Sequence, residues 1–183
     1  ARYVCGKLAR RLVADDPPPA IVDAAVAAWE ANRQAPDQLA KVVRAILLHP
    51  QFAGTWSAKV KRPFEVFASF FRALEAPFDT RATPNLTWVN YVAGFRHFAW
   101  GSPTGHPDEG GYWLSTNGML QRWNGLVYAV SDWFGALRFD PLAMMPEGTR
   151  TVRQMTDFWI DRLLGRPLAD AAARERLERY LLA

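Results

Sequence analysis

One feature constrains this chain more than any other. Its apolar side chains recur every three to four residues almost from end to end, and prolines, not hairpin turns, punctuate them. That period marks amphipathic helices, because residues three and four apart share a helix face. Val4, Leu8 and Leu12 make the first such stripe. Ile21, Ala24, Ala25 and Ala28 make a small-residue face in the second helix, with Asp16 ahead of it as the expected N-cap. Leu39, Val42, Val43, Ile46 and Leu47 form the third, which Pro50 stops. Val66, Phe67, Phe70, Phe71 and Leu74 form the fourth, opened by Pro63 and closed by Pro77.

Further along, Trp88, Val92, Phe95 and Phe98 define a fifth stripe within residues 83–100. Leu120, Trp123, Val127 and Val130 define a sixth, with Gly135 as its expected C-terminal stop. A seventh helix ends at Gly165 and an eighth closes the chain. No strand-length alternation bounded by hairpin turns is present. The expectation is therefore an all-α fold, a single-domain bundle of about seven to eight helices over residues 1–183. It carries one long Gly/Pro-rich loop, "AWGSPTGHPDEGGYWLS" at 99–115, with four glycines and two prolines.

Composition bears on function mainly by exclusion. The single cysteine, Cys5, permits no intramolecular disulfide and reads as an inert buried thiol. No apolar run approaches the ~20 residues of a membrane span. Net charge is +4, but basic residues are scattered and accompanied by acids. A nucleic-acid binder concentrates its charge on one face, so a nucleic-acid partner is disfavoured. The chain opens at Ala1 without a methionine or a signal-like apolar segment, which suggests a fragment or a processed product.

Four clusters are chemical candidates. His49, His97 and His106 are far apart in sequence and the cysteine is isolated, so neither a metal nor another cofactor is expected. His97 suits a helix C-terminus, where a cationic imidazole meets the dipole. Asp108 and Glu109 are adjacent acids beside Tyr112 and Trp113, with His106 nearby. Glycan-cleaving sites use paired acids against aromatic rings, so these three are weak catalytic candidates for a hydrolase acting on a glycan or other polymer. A solvated turn is the plainer alternative. Lys59, Lys61 and Glu65 surround the start of the fourth helix, either as an anion-binding corner or as a polar anchor. Arg122 and Asn124 flank Trp123, which the stripe places in the core, and they are expected to hold the glycine-rich loop through its carbonyls.

Three motifs in order carry a family resemblance. Lys61, Pro63 and Glu65 form a "K-x-P-x-E" helix start. Pro103, Gly105, Pro107 and Asp108 form a "P-x-G-x-P-D" loop leading to Trp113, Leu114 and Ser115. Arg122, Trp123 and Asn124 form an "R-W-N". The chain resembles the C-terminal part of the bacterial family called domain of unknown function 1800, with extra residues between Asp108 and Trp113. The resemblance implies an all-helical fold without an established activity. It also implies a longer parent with an N-terminal helical half, and an exported or envelope-associated setting. The expected function is a binding or assembly module. Its partner would be that N-terminal half or another protein, with a polymer ligand as an alternative. Trp100, Tyr112 and Trp113 are the expected contact residues in the loop, with Lys59, Lys61, Glu65, Arg122 and Asn124 around it.

Overall fold

A computed structural model describes residues 1–75, 81, 83–131 and 140–182. Among them are eight α-helices and no strand. They are α1 (Arg2–Leu12), α2 (Pro19–Ala31), α3 (Gln38–Leu47), α4 (Pro63–Ala73), α5 (Thr83–Val92), α6 (Thr116–Val130), α7 (Val152–Leu164) and α8 (Ala171–Leu182). Two short 3₁₀ turns, Phe52–Thr55 and Gly110–Leu114, are also present. Pro77 and Gly135, the expected stops of α4 and α6, lie outside the described residues. The chain divides into two compact units. One comprises Ala1–Pro63 with Val92–Leu120, the other Phe64–Tyr91 with Gln121–Ala183.

The first unit is built on α1, α2 and α3, with α2 touching both neighbours. Its core joins Cys5, Ala9 and Val13 to Ile21 and Ala25, and these to Val42 and Ile46. The expected faces of α1 and α3 are therefore rotated. Val4 and Leu12 are exposed, and the inward line of α1 is Cys5 and Ala9. On α3 the inward pair is Val42 and Ile46, while Leu39 and Leu47 face solvent. Small residues at Ala9 and Ala25 let the helix axes approach closely, which moves larger side chains to the rim.

α2 starts at Pro19, and no side chain caps it. Asp16 is not its N-cap, because Pro17, Pro18 and Pro19 each push the preceding residue out of the helical region. Burial raises the pKa of the Cys5 thiol above its ordinary value. Native Cys5 is thus expected to react with a disulfide reagent about 100-fold more slowly than the denatured chain, as measured by thiol titration with and without denaturant.

The second unit centres on Phe67, Val89 and Ala129, with Phe70, Phe71, Leu86 and Leu126 packed around them. α5 is shorter than its apolar stripe. It ends at Val92, and Gly94 then takes a φ of +87° that only glycine adopts freely. Phe95 and Phe98 consequently lie beyond the helix, and Trp88 is exposed while Val89 and Asn90 face inward. His97 stands in the loop, not at a helix end.

α6 departs furthest from expectation. The stripe Leu120, Trp123, Val127 and Val130 is exposed, and the buried line is Gly118, Arg122, Gly125 and Ala129. The reason is steric: at Gly125 an added Cβ would stand 2.5 Å from the Phe67 ring. Only the glycine side of α6 fits against that ring, so the bulkier side faces outward. α7 opens with a capping box of Thr151 and Gln154 and ends at Gly165, as the sequence indicates. α8 buries no residue. Arg174 pairs with Asp157 on α7 and with Glu178 on α8.

Candidate functional site

The Gly/Pro-rich loop belongs to the first unit, and an acid not singled out by its sequence context holds it there. Asp15 follows α1, at a bend before the prolines. Its Oδ1 accepts a hydrogen bond from Lys59 Nζ at 2.6 Å. Its Oδ2 accepts the backbone N–H of Gly110 at 2.5 Å. The same Lys59 ammonium donates to the Asp108 backbone carbonyl at 2.8 Å. One carboxylate and one ammonium therefore fasten three segments, 95 residues apart at the extreme. The hydrogen bond from Lys59, helped by the Gly110 N–H and the lysine charge, lowers the Asp15 pKa below the usual carboxylate value, against the opposing effect of burial.

Gly110 is tightly seated as well. A Cβ there would meet the Val60 side chain at 2.9 Å and Asp15 Oδ2 at 3.1 Å. Trp113 is buried beside it and donates its indole N–H to the Pro107 carbonyl at 2.9 Å. The loop backbone is thus fixed at Pro107, Asp108 and Gly110, which meets the need of a packed loop to satisfy its polar groups.

An aromatic cluster fills the hollow of the loop. The His106 ring lies nearly parallel to Phe95, with centroids 4.3 Å apart. Trp100 stands 4.8 Å from His106 and meets Tyr112 edge-on at 5.7 Å. Tyr112 meets Trp113 edge-on at 4.8 Å. His106 Nε2 lies 2.8 Å from the Arg96 carbonyl. A carbonyl only accepts, so Nε2 donates, which leaves Nδ1 as the other ring nitrogen. That Nδ1 is enclosed, with no hydrogen-bond partner among the described residues.

Asp108 sits 3.7 Å from the Arg62 guanidinium. Glu109 is exposed. No group of three metal-ligating side chains occurs among the described residues. No described helix is long and apolar enough to cross a membrane.

The sequence candidates divide between the units. Lys59, Lys61, Trp100, His106, Asp108, Glu109, Tyr112 and Trp113 are in the first, while Glu65, Arg122 and Asn124 are in the second. Glu65 is half-buried in the first turn of α4, and Lys61 is exposed on the connector before it. Arg122 is buried, and Trp123 beside it is exposed, the reverse of the expected order. Asp15 and Lys59 fasten the loop within the first unit.

A family model matches residues 1–182. The chain belongs to the DUF1800 family. That family is described as proteins of unknown function, so membership names no reaction. No curated protein and no solved structure matches the chain. Within this DUF1800 protein, the "P-x-G-x-P-D" motif is the part clipped by Lys59 and Asp15. The "K-x-P-x-E" motif opens α4, and the "R-W-N" motif lies across the inner and outer faces of α6.

Proposed function

We propose that this DUF1800 protein is a binding and assembly module of an exported or envelope-associated bacterial protein. Its loop 99–115 meets a protein partner, foremost the N-terminal half implied by the family resemblance. One observation carries the reading: the loop displays aromatic side chains from a backbone already held in place. Tyr112 remains half exposed although Trp100 and Trp113 brace its ring. Phe98, just before the loop, is fully exposed at a left-handed φ of +56°. A bulky side chain in that conformation costs on the order of 1–3 kcal/mol, and strain of this kind gathers at binding sites. Aromatic anchors on a preordered frame lose little entropy on binding.

Co-purification with the N-terminal half of the parent, followed by size exclusion, tests the proposal. The halves are expected to elute together. Phe98→Ala combined with Tyr112→Ala is expected to weaken capture about 10-fold or more. If the halves never associate and no other protein co-purifies, the proposal fails.

A further inference from the structure

The outer side of α3 is a grooved surface that lies wholly within the first unit. Its side chains form three parallel rows at four-residue spacing. Leu39, Val43 and Leu47 make the first, Ala40, Arg44 and Leu48 the second, and Lys41, Ala45 and His49 the third. An open hollow of about 510 Å³ lies between the first row and the second. Another of about 510 Å³ lies between Arg44 and Leu48 on one side and the third row on the other. Leu39 and Leu48 are 56% and 66% exposed, whereas Val42 and Ile46 on the inward side are fully buried. One raised row with a hollow along each flank is the surface into which a second helix packs, its own four-residue rows filling the two hollows.

Charge decides the chemistry of that helix. The first hollow is apolar on both flanks except at Arg44, and the second is bordered by Lys41, Arg44 and His49. No acidic residue occurs from Gln38 to Phe64. Asp37, just before α3, is occupied by Lys41 at 2.9 Å. Arg44 is exposed and has no ion pair among the described residues. The unit as a whole adds to this field. It holds eleven basic and seven acidic residues, whereas the second unit holds eleven of each, so the entire net charge of +4 belongs to the first. A wholly apolar helix on this surface would cover Arg44 and leave its charge unpaired, and a basic helix would be repelled. A helix with carboxylates on the row that enters the second hollow instead pairs with Arg44 as its apolar row fills the first.

We infer that α3 docks an acidic amphipathic helix of a partner protein, with apolar side chains between Leu39, Val43 and Leu47 and the Arg44 row, and carboxylates beside Arg44 and Lys41. This contact uses none of the loop residues and stands whether or not loop 99–115 binds its partner.

Fluorescence anisotropy of the intact chain with a labelled synthetic helix of about 18 residues tests it. The probe carries leucine at every fourth position, glutamate on the adjoining row, and alanine and glutamine elsewhere. Saturable binding is expected with a Kd of about 10–100 μM. The same peptide with lysine in place of glutamate binds about 10-fold or more weakly. Arg44→Glu weakens the acidic peptide about 10-fold or more and strengthens the lysine peptide. Leu48→Asp weakens both. Far-UV circular dichroism stays unchanged in these variants, because neither side chain belongs to the core. No saturable binding of the acidic peptide up to about 1 mM overturns the inference. So does equal affinity for the two peptides, or an Arg44→Glu variant that binds both as the wild type does. Binding to phosphatidylglycerol vesicles that Leu48→Asp abolishes and the acidic peptide does not displace assigns the surface to anionic lipid, and overturns it too. Self-association of the intact chain that Leu48→Asp abolishes assigns the surface to a second copy, with the same consequence.

Discussion

Gly125→Val is expected to destabilise the protein by about 3 kcal/mol or more, lowering the melting temperature by about 2–4 °C for each kcal/mol. Gly125 occupies the middle of α6, where helix propensity alone favours replacing it: alanine is preferred to glycine by about 1 kcal/mol. The Phe67 ring opposes that gain. It is 2% exposed, and its Cζ lies 2.5 Å from the position a Cβ would take. A ring packed on all sides cannot yield half an ångström without moving its neighbours, and overpacking of this kind costs about 1–3 kcal/mol for a single methyl. Gly125→Ala is thus expected to be net destabilising, and a stabilised alanine variant would show that the contact is not tight. Trimming the ring should release the clash. Phe67→Leu combined with Gly125→Val is expected to lose at least about 1 kcal/mol less than the sum of the separate losses, as read from denaturant midpoints.

Asp15→Asn is expected to cost about 1–2 kcal/mol and to loosen the Gly/Pro-rich loop. A hydrogen bond between charged groups contributes about 1.5–3 kcal/mol, and the side-chain exposure of Asp15, 36%, calls for the lower part of that range. The sign with pH follows from the lowered pKa of Asp15. A carboxylate that ionises more easily in the folded state contributes stability that is complete above its unfolded pKa, ordinarily about 3.9. That stability fades as the pH falls through the lower folded value. The difference between wild type and Asp15→Asn is therefore expected to be constant near neutrality and to shrink below about pH 4. Denaturant titrations between neutrality and strong acid check this, and a difference that grows on acidification would refute the clip. Amide exchange at Gly110 supplies a local readout, because its N–H loses the carboxylate that accepts it.

Helix content was readable from the sequence in proportion to its local causes. The capping box at Thr151 and the stop at Gly165 act within a turn of the helix they bound, so pattern and structure agree there. The same holds for Pro63 at the start of α4. The end of α5 was less readable, because apolar spacing continues through Phe95 and Phe98 after Gly94 has already turned the backbone. Burial was less readable still. α6 has one bulky apolar side and one side with two glycines, and periodicity assigns the bulky side to the core. Packing reversed that choice, since Phe67 fills the space that only glycine leaves open.

The candidate site shows the same division. The loop, its aromatic residues and Lys59 stood out by composition and order. Asp15 did not, because its partners lie 44 and 95 residues away and no local spacing relates them. By itself, the sequence determined an all-helical chain, the order of its three motifs and its membership in the DUF1800 family, since each depends on local spacing and residue type. The tertiary structure alone decided which helix faces are buried, which acid holds the loop and which apolar stripe is left outside. Those outcomes depend on the volumes and hydrogen-bond partners that distant segments bring to the same place, and no local pattern records them.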